Sequence, residues 1–214
     1  MLQGLLSTTP PTTATFDFLL NWYVFFGTGA AVVVIAMLAF FMIRYRSRGD
    51  QEPPLEHKTE GWKIVLVTVL ISISVLSAAE YQTFAAFGNI EIPAACTQTP
   101  NQCVQIQVSA YQWGWSFTYP NGRSVSNNLT VPAGKIILLN VTTKDVFHTF
   151  GINVLAVKED AIGGKTNQLW FMVPDPGFYK NAIRCFEFCG FGHAKMFANL
   201  TVVSQGAWDA WQGH

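Results

Sequence analysis

Five residues whose side chains carry sulfur or imidazole donor atoms fall in two short stretches of the sequence. The segment RCFEFCGFGHAKM holds four of them and the earlier segment KDVFHTF holds the fifth: Cys185, Cys189, His193, Met196 and His148. Thiolate and thioether sulfurs are soft ligands that favour copper, and imidazole suits copper as well as zinc. The types and spacing of these residues therefore predict a metal site.

Two other interpretations of the same residues are open. Cys185 and Cys189 could form a disulfide, with His193 in a loop and Met196 in a core. Two cysteines and two histidines also match a zinc site, although zinc has no use for Met196 and structural zinc normally fixes a domain too small to have a core. One copper ion cannot easily use two thiolates, two imidazoles and a thioether, whereas two copper ions that share both sulfurs can. We therefore expect two copper ions.

Two kinds of structural element must position these donors. The first kind is the long apolar segment. Hydrophobic residues make up 50% of the 214 residues and charged residues only 12%, against about 25% in soluble proteins. Zero net charge gives no indication of a nucleic-acid partner. Residues 22–43 carry no charge, and residues 64–79 reach a membrane-spanning length only if their helix continues through Glu80. We predict two membrane helices, at about residues 18–43 and 62–87.

The loop between these two runs is basic, which predicts the orientation of the chain. It contains Arg44, Arg46, Arg48, Lys58 and Lys63, and short basic loops next to membrane helices stay in the cytoplasm. Both termini are then outside. No basic region precedes the first apolar run, so we expect no cleavable signal peptide. These observations predict a multi-pass protein of the cell membrane or an equivalent membrane, with an N-terminal segment and a two-helix anchor in residues 1–87 and an exterior domain in residues 88–214.

The exterior segment contains two further cysteines. Cys96 and Cys103 flank the polar loop TQTPNQ, and the exterior compartment is oxidising, so we expect a disulfide that closes this loop. The alternative is a pair of unrelated thiols.

The second kind of element is the β-strand, which dominates the sequence after Phe87. Residues 104–108 alternate between apolar and polar side chains, and residues 111–119 alternate between aromatic and small or polar ones. A period of two predicts strands with one buried face, and the Pro-Asn-Gly of residues 120–122 predicts a turn. Further strands are expected at 135–142, 168–173 and 196–203. Short strands separated by Gly, Pro and Asn predict an antiparallel sandwich or barrel.

The string from Cys185 to Met196 resembles the CxExCGxxHxxM loop of the binuclear copper centre, CuA, in subunit II of cytochrome c oxidase. The resemblance extends over nearly the whole chain and includes the helical hairpin and the segments YQWGWSF, DVFHTF and VKEDAIGGKTNQ. It implies a cupredoxin-like Greek-key β sandwich outside the membrane. It also implies a role in accepting electrons from an exterior donor and passing them to haem in subunit I, where O₂ is reduced to water and protons are translocated.

The resemblance also implies a role for each donor residue. Cys185 and Cys189 resemble the thiolates that bridge the two copper ions. His148 and His193 resemble the terminal imidazoles, and Met196 is similar to the weak thioether ligand of one copper ion.

Three more residues take roles from the same resemblance. Glu187 occupies the position whose backbone carbonyl binds the other copper ion, and whose side chain in the family reaches a magnesium or manganese ion at the boundary with subunit I. Trp113 matches the aromatic residue that receives electrons from the docked donor, although a place in the sheet core is the alternative for it. Glu60 lies near the start of the second helix, where the family has a glutamate at the mouth of a proton path, but a solvated charge is the alternative there.

Two further functions stay open. A nitric oxide reductase of the CuA type shares this module, and its reaction takes place in the partner subunit. A free-standing, membrane-anchored copper carrier needs no partner, although Glu80 prefers a protein neighbour to lipid.

The residues after Phe87 include eight basic and seven acidic ones, so we do not expect an acidic surface that steers a strongly basic cytochrome. This favours another copper protein or a membrane-bound cytochrome as the donor. The resemblance implies a cytochrome c or a copper protein as the donor, and subunit I and further oxidase subunits as the other partners.

Overall fold

The computed structural model describes residues 11–46, 61–88, 91–98 and 103–212. The chain divides into two compact units, of which one contains residues 17–88 and the other contains residues 1–16 and 89–214. Three residues of the predicted cytoplasmic loop and proton path lie outside the described residues: Arg48, Lys58 and Glu60.

Two long helices precede the strands, α1 (Pro11–Arg44) and α2 (Gly61–Phe87). Helix α2 has nearly its predicted bounds, while α1 begins earlier than predicted, because proline suits the first position of a helix and no helix breaker follows it. Both helices are long and apolar enough to cross a membrane. Their large apolar side chains are mostly exposed, which in a membrane is the arrangement expected for side chains that face lipid or a neighbouring subunit.

The two helices touch through Tyr23 of α1. Its hydroxyl donates a hydrogen bond to the Ala79 carbonyl at 3.2 Å and contacts the Thr83 hydroxyl. Other hydroxyls of α2 bond within the helix, since Thr68, Ser72 and Ser74 each donate to the carbonyl four residues earlier. These three side chains therefore need no partner from outside the helix.

Within its described residues, the second unit contains a short α-helix, ten strands and a final α-helix, besides two short 3-10 helices. Helix α3 is Ala94–Gln98 and helix α4 is Gln205–Gln212. The strands are β1 (Cys103–Tyr111), β2 (Gly114–Thr118), β3 (Ser124–Ser126), β4 (Asn128–Pro132), β5 (Ile136–Thr143), β6 (His148–Ile152), β7 (Val157–Ala161), β8 (Asn167–Met172), β9 (Gly177–Cys185) and β10 (Phe197–Val203).

The strands form two five-stranded sheets, ordered β3-β2-β1-β5-β8 and β4-β10-β9-β6-β7. The predicted two-helix and β-sandwich architecture is confirmed. The expectation of antiparallel pairing is wrong for one pair in each sheet, because β1 pairs with β5 and β4 pairs with β10 in parallel. Strands β2 to β4 lie between β1 and β5 in the sequence, so the connection is long enough to bring β5 back beside β1 in the same direction.

The core lies between the two sheets; β1 and β10 bury alternate residues, whereas β4, β5 and β6 are buried at consecutive positions. In β1 the side chains of Ile106 and Val108 are fully buried, as their alternation predicts. The aromatic alternation does not form one continuous buried face, because β1 ends at Tyr111 and β2 begins at Gly114. Trp113 therefore lies in the turn between the strands and is 42% exposed, so the core alternative for this residue is wrong.

Two contacts tie the ends of the domain to the sheets. Cys96 of α3 forms a disulfide with Cys103 at the start of β1. At the other end Trp208 of α4 is buried against the sandwich near Tyr119. The backbone N–H of Thr130 donates to the Tyr119 hydroxyl at 2.8 Å, and burial raises the pKa of Tyr119 to about 12.

Candidate metal centre

The loop between β9 and β10 carries four of the predicted donors, and its ends are held by neighbouring strands. Strand β6 pairs with β9, so that Phe150 lies opposite Cys185, and this pairing brings His148 at the start of β6 to the same end of the sheet. The Cys185 N–H donates to the Met196 carbonyl at 3.3 Å and closes the loop. The Phe186 N–H donates to the Thr149 carbonyl at 3.0 Å and fixes the loop against β6.

The two cysteine sulfurs lie side by side in the centre of this loop. Cys185 Sγ and Cys189 Sγ are 3.8 Å apart, both residues are buried, and neither forms a disulfide. A disulfide would need about 2.05 Å between the sulfurs. The alternative in which these two residues pair with each other therefore does not describe this structure.

Each sulfur has its own imidazole and its own weaker donor. Cys185 Sγ lies 3.7 Å from His148 Nδ1 and 3.2 Å from the Glu187 carbonyl oxygen. Cys189 Sγ lies 3.6 Å from His193 Nδ1 and 3.7 Å from Met196 Sδ. The ligand atoms of His148, Cys185 and Cys189 all lie within 4.8 Å of one another.

This arrangement fits two copper ions better than one zinc ion. The six donor atoms divide into two sets, one around each sulfur, and each set combines an imidazole nitrogen with a thiol sulfur. Met196 is fully buried with its sulfur directed at the site, and a soft thioether is a ligand of copper rather than of zinc. A four-ligand zinc site would leave the thioether and the Glu187 carbonyl without a function.

The carboxylate of Asp145 orients His148. Nε2 of His148 lies 2.9 Å from Asp145 Oδ1, so when Nε2 donates its proton there, Nδ1 keeps a free lone pair for a metal ion. Burial alone would raise the pKa of the Asp145 carboxyl. The hydrogen bonds that it accepts from His148 and from the N–H groups of Gln112 and Val146 together lower this pKa by more than burial raises it. The pKa therefore lies below its ordinary value, and Asp145 is a carboxylate acceptor at neutral pH.

The thiol of Cys189 favours its protonated form in the absence of a metal ion. Burial, together with the neighbouring Cys185 sulfur, raises the pKa of the Cys189 thiol to about 12. Cys189 therefore keeps its proton at neutral pH until a cation replaces it, which is the usual coupling between metal binding and thiol ionisation.

The turn between β1 and β2 contacts the same loop. The Trp113 indole N–H and the Gln112 side-chain amide both donate to the Cys189 carbonyl, at 3.1 and 2.8 Å. The backbone N–H of Gln112 donates to Asp145 Oδ2 at 2.7 Å. The Trp113 ring packs on Gly192, where an added Cβ would lie 2.4 Å from Trp113 Cδ2.

Two residues near the site were not predicted to act there. Gln112 bonds to both ligand-bearing segments, but nothing in the sequence distinguishes it from any polar strand residue. Trp115 was expected only as a core residue, and its ring meets the His148 ring edge-on with the centroids 6.2 Å apart. Its indole N–H has no hydrogen-bond partner among the described residues.

Glu187 lies beside residues of β6 and β7. It lines a cavity of about 310 Å³ together with Thr149, Lys158, Glu159, Asp160 and Phe186. Thr149 donates to Asp160 Oδ1 at 2.7 Å. Carboxylate groups of the kind that bind magnesium or manganese therefore stand beside the loop.

Comparison with known proteins identifies the family. A family model described as cytochrome c oxidase subunit II, periplasmic domain, matches residues 122–203. The heme-copper oxidase subunit 2 of Aeropyrum pernix is 32% identical over 199 residues, which cover 84% of this chain and 80% of that protein. The chain belongs to the cytochrome c oxidase subunit II family. The predicted resemblance of the chain to this family is thereby confirmed.

Members of the cytochrome c oxidase subunit II family differ in length. The cytochrome c oxidase subunit 2 of Alkalihalophilus pseudofirmus is 28% identical over 184 residues, which cover 85% of this chain and 53% of that protein. The chain thus spans about half the length of that relative. The crystal structure of the periplasmic domain of subunit II from Bradyrhizobium japonicum covers 51% of this chain and 91% of its own chain, with 31% identity and a TM-score of 0.48.

Proposed function

We propose that this chain is the electron-entry subunit of a haem-copper oxidase. Family membership and the grouping of donors around Cys185 and Cys189 support this function. The subunit accepts electrons from an exterior donor and delivers them to haem in subunit I, where O₂ is reduced to water and protons are translocated. The observation that carries the proposal is that each of two adjacent sulfurs has a separate imidazole within 3.7 Å.

The residues that hold the metal are those around the two sulfurs. Two copper ions bound there supply a centre that takes up and releases one electron at a time. Cys185 and Cys189 would hold the ions with their sulfurs, His148 and His193 with their imidazole nitrogens, and Met196 and the Glu187 carbonyl would supply the weaker donors. Strand β6 and the closed β9–β10 loop hold these donors in place, so the protein rearranges little when the charge of the centre changes.

Trp113 provides the entry point for electrons. Its ring is partly exposed, and its N–H donates directly to the carbonyl of the ligand Cys189. Phe188 and Phe191 are exposed on the same loop, at 80% and 100%, and they give the donor, a cytochrome c or a copper protein, an apolar surface to meet.

Glu187 marks the side that faces subunit I. Its carbonyl lies 3.2 Å from Cys185 Sγ, while its side chain lines the cavity that also contains Glu159 and Asp160. In our proposal the Glu187 side chain helps to bind magnesium or manganese together with groups from subunit I, and haem is bound by the partner alone.

The membrane arrangement follows from the helices. Residues 1–87 contain an N-terminal segment and the two-helix anchor, which crosses the membrane twice, and residues 88–214 form the exterior copper domain. The basic residues after α1 stay on the inner side, so both termini lie outside. The proposal for Glu60 as the mouth of a proton path concerns a residue outside the described part of the chain.

Purification of the intact complex from membranes tests the proposal. We expect two copper ions per chain that share one unpaired electron when oxidised, which gives a seven-line hyperfine pattern, and a partner that contains haem and copper. Cys185→Ser should abolish this signal while the haem partner is retained. One copper ion per chain or stoichiometric zinc would contradict the site, and a partner with haem and non-haem iron would indicate a nitric oxide reductase.

A further inference from the structure

One face of α2 carries polar groups in the second half of an apolar helix. Ser77, Glu80 and Tyr81 line an open groove with apolar residues one and two turns away: Ile73, Leu76 and Phe84. Residues three and four positions apart share a helix face. The groove therefore runs along α2 over about 16 Å, which is about three helical turns.

The groove does not coincide with the contact between α1 and α2. Successive residues of a helix are about 100° apart around its axis. Ala79 and Thr83, which meet Tyr23 of α1, then lie about 60° to 100° to one side of Glu80. Ser77, Tyr81 and Phe84 lie about 40° to 100° to the other side. The hairpin thus leaves the Glu80 side of α2 open.

A carboxylate at this place in a membrane helix needs a partner. Glu80 lies seven residues before the end of α2 at Phe87, which places it about 10 Å inside the span. A charged side chain at such a depth is costly unless it is paired or faces protein. Among the described residues no side chain forms an ion pair or hydrogen bond with Glu80, and the basic residues Arg44 and Lys63 stand at helix ends.

We propose that the Glu80 face of α2, defined by Ile73, Leu76, Ser77, Glu80, Tyr81 and Phe84, binds a membrane helix of a neighbouring subunit that presents an arginine or lysine to Glu80. A basic side chain supplies the charge that the hairpin lacks. The length of the groove matches a helix packed along α2, whereas a lipid headgroup would contact only its outer end. The inference rests on the proposed function, which supplies the neighbouring subunit.

Photo-crosslinking in the intact complex tests which face is covered. A benzophenone amino acid is placed at Leu76 or Phe84 on the Glu80 face, and at Ile71 or Ala78 on the opposite face of the same helix. We expect cross-links from Leu76 and Phe84 to one membrane peptide of the neighbouring subunit that contains an arginine or lysine. Cross-links only from Ile71 and Ala78, or to a peptide without a basic residue, would overturn the inference.

Charge variants test the recognition itself. Glu80→Lys should lower the fraction of neighbouring subunit that co-purifies by about tenfold, because like charges across an interface are strongly repulsive. Ala78→Lys, at the same depth on the opposite face, should leave that fraction unchanged. Exchange of the cross-linked basic residue for glutamate should restore binding to Glu80→Lys. Equal retention by Glu80→Lys and the wild type would refute the pairing.

The copper site separates this inference from the proposed function. Copper content and the hyperfine pattern are measured on the same preparations and should be unchanged in Glu80→Lys. A wild-type chain that purifies with two copper ions and a haem partner, but without cross-links from Leu76 and Phe84, would refute the Glu80 interface alone. A wild-type chain that purifies without any haem partner would refute the proposed function and this interface together.

Discussion

Replacement of Gly192 by alanine would displace the indole of Trp113 and leave the metal ligands in place. The added Cβ would lie 2.4 Å from Cδ2, 2.5 Å from Cγ and 2.8 Å from Cε3 of Trp113. These distances are far inside van der Waals contact, so one of the two groups must move. Gly192 has φ −89° and ψ 5°, a conformation that alanine also adopts, so the backbone itself is not strained.

The loss of stability in Gly192→Ala follows from the contacts that the Trp113 indole gives up. Trp113 is 42% exposed and can therefore swing outward, but it then gives up its hydrogen bond to the Cys189 carbonyl and its packing on the loop. One neutral hydrogen bond is worth about 1 kcal/mol. With some lost packing we expect Gly192→Ala to lower the free energy of unfolding by about 1–2 kcal/mol.

Three measurements on the variant test this reasoning. Urea unfolding gives the stability, tryptophan fluorescence reports the indole, and stopped-flow mixing with a reduced donor gives the rate of electron uptake. We expect uptake as slow as in Trp113→Leu, with an unchanged copper spectrum. Gly163→Ala is the matched control, because its added Cβ finds its nearest atom at 4.0 Å. Wild-type uptake by a variant whose fluorescence has changed would refute the entry role of Trp113.

Three further predictions concern a ligand, the core and the topology. Met196→Leu keeps size and apolarity and should cost less than about 1.5 kcal/mol, but it should shift the reduction potential of the copper site; an unchanged potential and spectrum would make Met196 a core residue only. Tyr119 stays neutral in the fold up to about pH 12, whereas an unfolded tyrosine ionises near pH 10. The contribution of neutral Tyr119 to the free energy of unfolding should therefore be fully present below pH 10. It should fall by up to about 2.7 kcal/mol as the pH rises to 12. Tyr119→Phe should lose about 1 kcal/mol at neutral pH but show a smaller alkaline decline in thermal melts, and an equal decline would contradict the assignment. In intact cells, protease added outside should leave the Arg46 loop uncut and reach the segment around Thr97, and the reverse pattern would invert the proposed topology.

The donors could be predicted from the sequence because their chemistry is local. Cys185, Cys189, His193 and Met196 lie within twelve positions, and few contexts other than a soft-metal site need such a set. His148 is 37 residues from Cys185, and only its resemblance to the family pattern linked it to the loop. The structure supplies the physical link, which is the pairing of β6 with β9.

The position of Trp113 could not be predicted from periodicity. The turn between β1 and β2 contains two residues, Gln112 and Trp113. With this turn, odd residues of β1 pair with even residues of β2, as Tyr111 does with Gly114. The buried face therefore changes from even positions in β1 to odd positions in β2, although the aromatic alternation runs through the turn without interruption. The parallel pairing of β1 with β5 was missed for a related reason, since strand direction is decided by contacts between residues far apart in the chain rather than by any local pattern.

The closure of the copper loop by β10 has a consequence for the timing of metal capture during synthesis. Domains fold in order as the chain leaves the ribosome, and β10 follows every ligand in the sequence while pairing with both β4 and β9. The hydrogen bond from Cys185 to Met196 lies next to the pairing of Arg184 with Phe197, so the pairing of β10 with β9 holds the loop closed. A nascent chain thus offers only scattered thiols and imidazoles, and the finished sandwich is the first species that can select its ion.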